Sequence, residues 1–292
     1  EVLGIPCVSD IGAADADLSV VAVPLKNTVE AVRQAGESGV RNVVVITAGF
    51  GETGSEGAAR ERELREVAEQ YGLNLVGPNS LGIMSTGVDM NATFGPDNAQ
   101  PGGMSFMSQS GAFITAVLDW ANDQDIGFRD VVSLGNKAVL DEADFVREWG
   151  DDPETDVVIG YLEGIEEGRE FIDSAREVTQ DTPIVLVKSG RTDAGAQAAS
   201  SHTGTIAGSD EAYETGLEQA GVIRAESVQE LFDSAQMLGS QPLPEQDDVA
   251  IITNAGGPGV MATDAVGDSG LSMATFSDET LDTFSEKLPA EG

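Results

Sequence analysis

The sequence predicts an α/β fold of parallel sheets assembled from strand–helix–strand units. Three observations carry the prediction. Short β-branched runs recur along the chain, separated by helix-length segments. Several of these runs are continuously apolar, the pattern of a strand covered on both faces. The turns after them are built from small residues, as turns from strand to helix require.

The elements follow in order. Residues 18–23 form the first run, ending in Val23-Pro24 and followed by an amphipathic helix over 28–38. Residues 42–47 (Asn-Val-Val-Val-Ile-Thr) form the second, then a glycine-rich turn, Ala48-Gly49-Phe50-Gly51, and a charged helix over 55–71. Asn74-Leu75-Val76 is the third, ending in Gly77-Pro78-Asn79. Residues 90–103 are polar and rich in Gly, Pro and Asn, which predicts a domain boundary. The pattern restarts beyond it, with strands predicted at 103–107, 131–133, 157–162 and 183–188. Helices are predicted at 111–122, 142–149, 168–179, 209–220 and 227–238. Residues 239–244 read as a linker, and a strand at 248–253 opens a third unit. The expected domains are therefore 1–97, 98–239 and 240–292, the last too short to close a sheet of its own. The first unit lacks the strand–glycine-loop–helix opening of a Rossmann-type domain, so an N-terminal truncation is expected.

The charge balance excludes several classes of partner. Asp and Glu number 51 against 15 Lys and Arg, a formal charge of −36. Nucleic acid and anionic membranes need basic side chains to replace their counterions, so neither is expected to bind. The carboxylates are dispersed among apolar segments rather than gathered in a tail, which fits a protein working in high salt, where screening relieves self-repulsion; a halophilic source is expected. No apolar run approaches the roughly 20 residues of a membrane-spanning helix. No basic-then-apolar leader opens the chain, and a cytoplasmic location is expected, although the chain starts at Glu1 without a methionine. Cys7 is the single cysteine and His202 the single histidine, which leaves no disulfide within the chain and argues against a zinc site.

Two turns have the form of an anion site, where a strand ends and a helix N-terminus begins. One is Met107-Ser108-Gln109-Ser110-Gly111; the other is Asn254-Ala255-Gly256-Gly257-Pro258-Gly259, with Pro258 suited to a first helical turn. Neither is a Walker A loop or a dinucleotide fingerprint, and any α/β sheet needs small residues at such turns. Residues 199–208 form a small polar loop carrying His202. A lone histidine is more often structural than catalytic, but this loop offers no large apolar anchor beyond Ile206 that would need an imidazole to pack against. Glu163 ends the apolar strand Tyr161-Leu162 and precedes Gly164; it is either an exposed strand-end acid or a carboxylate at the sheet's ligand edge. In the second case it could hold an imidazole by one nitrogen and leave the other nucleophilic.

Val23-Pro24, Thr47-Ala48-Gly49-Phe50, Gly77-Pro78-Asn79, Ser108-Gln109-Ser110-Gly111, Leu134-Gly135-Asn136-Lys137, Tyr161-Leu162-Glu163-Gly164, Ser201-His202-Thr203-Gly204 and Thr253-Asn254-Ala255-Gly256-Gly257 occur in one order over the whole chain. In that order the chain resembles the ADP-forming acetyl-CoA synthetases (acetate–CoA ligases) and, more distantly, the α subunit of succinyl-CoA synthetase. The resemblance implies a Rossmann-like CoA-binding domain followed by flavodoxin-like doubly wound domains. It implies that His202 is the phosphorylated histidine and Glu163 the carboxylate supporting it. Phosphate is then expected at Ser108, Gln109, Ser110 and Gly111 and at Asn254, Gly256 and Gly257, and CoA at Val23, Pro24, Thr47, Ala48, Gly49, Phe50 and Asn79.

The implied reaction interconverts acyl-CoA, phosphate and ADP with acid, CoA and ATP through acyl phosphate and phosphohistidine. Coenzyme A and ADP or ATP with Mg²⁺ are the implied cofactors. The nucleotide is held mainly by an ATP-grasp domain or β subunit that this sequence lacks; a small acyl substrate and an oligomeric assembly are also implied. Two rivals from the same architecture are the CoA-binding regulatory half of a fused protein acetyltransferase and a succinate–CoA ligase α-like subunit. A serine hydrolase is disfavoured because Ser110 sits in Ser-Gln-Ser-Gly rather than in a nucleophile elbow.

Overall fold

The computed structural model describes residues 1, 3–192, 195, 209–242, 244 and 246–288. The chain divides into two compact units, Glu1–Gln241 and Pro242–Gly292.

The first unit opens with a three-stranded parallel sheet, β1 (Leu18–Val21), β2 (Asn42–Val45) and β3 (Asn74–Val76), in spatial order β1-β2-β3. Two helices connect them, α1 (Thr28–Glu37) and α2 (Ser55–Tyr71). Alternation along β2 splits its valines between two cores. Val43 and Val45 pack in one cluster with Val32 of α1 and Leu64 of α2. Val44 joins another with Val146 and Trp149. This is why the run reads as continuously apolar: both faces are covered.

A seven-stranded sheet follows, in spatial order β10-β9-β8-β6-β7-β4-β5. Its strands are β4 (Gly82–Ser85), β5 (Met90–Thr93), β6 (Gln100–Ser108), β7 (Gly127–Ser133), β8 (Val157–Leu162), β9 (Ile184–Lys188) and β10 (Ile223–Ala225). The strands from β10 to β7 are parallel, whereas β4 and β5 are antiparallel additions at one edge. Helices cover both faces. On one lie α4 (Glu142–Asp151), α5 (Gly168–Val178) and α6 (Asp210–Gln219), around Trp149, Phe171 and Leu217. On the other lie α3 (Gly111–Asp123) and α7 (Val228–Ser240), around Phe106, Leu118 and Phe232. The α/β class and the doubly wound architecture expected from the sequence are both present.

The stretch 90–103, where the composition placed a domain boundary, contains β5 and the start of β6. Its Gly and Pro residues mark a strand irregularity instead. The β6–β7 register shifts between Pro101 and Met104, and a Cβ on Gly102 would lie 2.4 Å from the carbonyl carbon of Gly127. Only glycine permits that approach.

The second unit pairs β11 (Asp248–Val249) with β12 (Ser272–Met273) in parallel and carries α8 (Gly256–Asp268) and α9 (Asp278–Lys287). Of the strand predicted at 248–253, only the first two residues enter the ladder. No helix among the described residues is long and apolar enough to cross a membrane.

Candidate active site at the carboxyl edges of two sheets

The turns after β1, β2 and β3 converge. The Thr47 hydroxyl donates to the Val23 carbonyl at 2.7 Å, and the Asn79 N–H donates to the Thr47 carbonyl at 3.1 Å. All the residues expected to meet CoA thus lie at one carboxyl edge, where open parallel sheets bind ligands. Pro24, Ala48 and Asn79 are exposed there, so the edge fits a ligand lying across it. Phe50 is different: its ring is fully buried in the core of α1 and α2, and only its backbone belongs to the turn.

The backbone donors of this turn are already engaged. Gly49 and Phe50 donate to the Glu52 carboxylate at 2.5 and 3.1 Å, and Gly51 donates to Glu61 at 3.0 Å. Burial pushes the Glu52 carboxyl up, but hydrogen bonds from Asn136 and from the turn's backbone outweigh it and hold the group below the usual carboxylate value.

At the second edge, β6 runs into α3. The Ser108 hydroxyl is buried and bonded to its own turn, donating to the Ser110 carbonyl and accepting from the Ser110 N–H, both at 3.0 Å. Ser110 caps α3, its hydroxyl accepting from Phe113 N–H at 3.3 Å. What this turn presents is therefore the helix N-terminus with the N–H groups of Gly111 and Ala112, which have no intrahelical acceptor. Gln109 is a strap. Its Oε1 accepts from the backbone N–H groups of Glu163 and, at 2.9 Å, Gly164; its Nε2 donates to the Gly164 carbonyl at 3.0 Å.

That strap fixes the end of β8, where Glu163 is buried rather than an exposed strand-end acid. Lys188, which ends β9, is buried beside it, with its ammonium 4.4 Å from the Tyr213 ring centre and bonded to the Ser189 carbonyl. Burial and the nearby Arg224 guanidinium push Lys188 below the ordinary lysine value, while Asp210 and Glu163 draw it back up. Lys188 was not among the expected site residues, and a buried lysine at a strand's carboxyl end is the signal that could have found it. His202 falls among residues 196–208, outside the described residues.

Sequence reasoning also assigned no role to Asn136 and Lys137, in the turn between β7 and α4. Asn136 Nδ2 donates to Glu52 at 2.6 Å and to Glu61 at 2.8 Å. Lys137 Nζ donates to the Gly164 carbonyl at 2.9 Å and lies 3.0 Å from Glu142 Oε2 in a buried ion pair. The two residues touch both edges.

In the second unit, Asn254, Gly256 and Gly257 stand at the start of α8 and are exposed. The hydroxyl of Thr253 bonds the N–H and carbonyl of Ala255 at 3.0 and 3.2 Å, the same turn that Ser108 makes before α3.

Residues 1–86 match a family described as a CoA binding domain, and residues 101–238 match one described as a succinyl-CoA ligase like flavodoxin domain. The chain is 49% identical over 293 residues to the ADP-forming acetate–CoA ligase I of Archaeoglobus fulgidus, a match spanning all of this chain and 42% of that protein. It is 43% identical to the α subunit of the ADP-forming acetate–CoA ligase I of Pyrococcus furiosus, over 95% of this chain and 60% of that subunit. Among solved structures, the dinucleotide-forming acetyl-coenzyme A synthetase 1 of Ca. Korarchaeum cryptofilum, in complex with phosphate and ADP, superimposes with a TM-score of 0.93 at 38% identity. That match covers 99% of this chain and 63% of the other. The chain thus spans about two fifths to two thirds of the length of these relatives. A CoA-binding segment followed by a succinyl-CoA-ligase-like flavodoxin segment, together with these identities, places the chain in the family of ADP-forming acetyl-CoA synthetases, as an α-subunit-like region.

Proposed function

We propose that this chain carries the acyl-transfer and phosphohistidine chemistry of an ADP-forming acetyl-CoA synthetase, with His202 as the phosphoryl carrier. The observation that supports this most directly is Glu163: a buried carboxylate at a strand's carboxyl end, its backbone strapped by Gln109 beside the N-terminus of α3. A carboxylate so placed can orient an imidazole and leave its other nitrogen free to attack.

In the direction of ATP synthesis, phosphate attacks the thioester of acyl-CoA; a C–O bond forms, the C–S bond breaks, and CoA leaves as its thiol. His202 then attacks the phosphorus of the acyl phosphate, and the carboxylate departs as the P–O bond breaks. ADP takes the phosphoryl group as the P–N bond breaks. Such transfers depend on positioning and charge neutralisation more than on covalent catalysis. The α3 N-terminus and the buried Lys188 ammonium supply positive potential at this edge; in the second unit, Asn254, Gly256 and Gly257 at the start of α8 would bind phosphate in their own right. The turns bearing Val23, Pro24, Thr47, Ala48, Gly49 and Asn79 would hold CoA.

Nucleotide and Mg²⁺ belong in this reading to an ATP-grasp region, in line with the relatives' greater length. Among the described residues no group of three or more His, Cys, Asp or Glu could hold a metal ion. A cytoplasmic setting follows from the substrates, since CoA and adenine nucleotides are drawn from that pool. The domain division at 97 and 239 and an oligomeric assembly belong to the same proposal.

The test is to incubate the chain with labelled ATP, Mg²⁺ and its ATP-grasp partner. Acid-labile label is expected on the wild type and none on His202→Ala. Equal labelling of the two proteins would overturn the carrier role.

A further inference from the structure

Among the contacts that join the two carboxyl edges, one dipeptide places a side chain on each. The turn after β7 holds two residues in the left-handed region on either side of Asn136: Gly135 at φ 61° and Lys137 at φ 57°. Its backbone is clamped to the turn after β3, with Asn136 N–H donating to the Pro78 carbonyl and Ala138 N–H to the Gly77 carbonyl, both at 2.9 Å. A buried non-glycine residue in the left-handed region persists only where its surroundings over-determine it.

The two side chains then point opposite ways. The Asn136 amide is saturated on the first edge: its NH₂ serves Glu52 at 2.6 Å and Glu61 at 2.8 Å, and its oxygen accepts from Asn79 Nδ2 at 3.3 Å. Glu52 in turn accepts from the backbone of Gly49 and Phe50, and Glu61 from Gly51. One amide therefore holds the whole 49–51 turn through two carboxylates that would repel each other without it. Lys137, the next residue, reaches the second edge. Its ammonium donates to Gly164, the residue after Glu163, whose backbone Gln109 also holds.

We infer that Asn136 and Lys137 are positioning residues that set the distance between the CoA turn and the Glu163 edge, so that thioester and phosphate meet in reactive alignment. The inference rests on the proposed function for the identity of the two ligands. Neither residue need touch a reactant. Asn136 acts through Glu52 and Glu61 on the 49–51 turn, and Lys137 acts through Gly164 on Glu163.

The experiment uses the complete enzyme with its ATP-grasp region. In Asn136→Asp a third carboxylate replaces the shared donor; in the Asn136→Asp/Glu61→Gln double variant an amide donor returns to the cluster from the other side. Three quantities are read: label taken up from ATP, release of that label on adding acid and CoA, and CoA affinity by calorimetry. For Asn136→Asp, uptake from ATP is expected to match the wild type, because that half-reaction does not use the CoA turn. Release by acid and CoA is expected to fall by about tenfold to a hundredfold, with weaker CoA binding, as misplacement by roughly 1 Å produces. The double variant should recover most of both losses. Normal release and normal CoA affinity in Asn136→Asp would overturn the inference. So would equal loss of uptake and release, unrelieved in the double variant, because that is the behaviour of a scaffold residue. Should the wild type take no label, the phosphohistidine reading fails by itself, and CoA affinity across the three proteins still decides whether Asn136 positions the turn.

Discussion

Glu52 shows how much one side chain's role depends on contacts that lie far away in sequence. Its carboxylate takes N–H groups from Gly49 and Phe50 and the amide of Asn136, which is 84 residues on. Because its folded pKa lies below the unfolded value, the folded state binds a proton there less readily than the unfolded state. The stability this contributes is fully present above the unfolded pKa of about 4.3 and is lost as pH falls through the lowered folded value. Glu52→Gln should therefore flatten the acid limb of the stability curve, bringing its urea midpoint closer to the wild type's as pH drops from 6 toward the acid transition. An undiminished gap between the two proteins at the lowest pH would refute the assignment. Glu163 was legible as a candidate because an acid following a buried apolar strand stands out. Glu52 and Asn136 were not, because nothing local in the sequence distinguishes a polar side chain bonded to a distant turn from one in water.

At the level of elements, β1 to β3 and β6 to β9 were legible because a strand covered on both faces must be apolar at successive positions. The β4–β5 hairpin escaped because it is an antiparallel edge, where Gly82-Ile83-Met84-Ser85 needs little apolar pattern. The Gly and Pro residues before β6 point to a domain boundary by composition, yet Gly102 marks a close strand approach. The turn after β7 offers a direct test of such constraints. Gly135 has φ 61°, and a Cβ there would lie 2.1 Å from the Pro78 carbonyl oxygen. Gly135→Ala must meet the left-handed penalty of about 1–2 kcal/mol and also displace backbone that is itself hydrogen-bonded. Gly164→Ala is the control, since its Cβ would meet nothing within 4 Å. The first change should lower the denaturant midpoint clearly and the second should leave it almost unmoved. Equal effects would mean that the turn is not the clamp described here.

For the whole molecule, charge is the dominant feature. Carboxylates outnumber basic residues 51 to 15, so ion pairing leaves most of them without a cation. Arg129 and Arg147 already pair with two acids each, as does Arg224, which shows how far the few cations are shared. Self-repulsion on this scale opposes the compact state, and its range is the Debye length, about 10 Å at 0.1 M salt and about 3 Å at 1 M. Stability should therefore climb steeply as KCl rises to about 1 M and level off beyond it, because the screening length then falls below the spacing of neighbouring surface charges. The shape of that curve separates screening from a general salting-out of apolar surface, which keeps increasing with salt. Urea midpoints measured from low salt to several molar KCl provide it: an early rise with a plateau is expected, while a flat or steadily linear response would show that carboxylate repulsion does not govern this fold's stability.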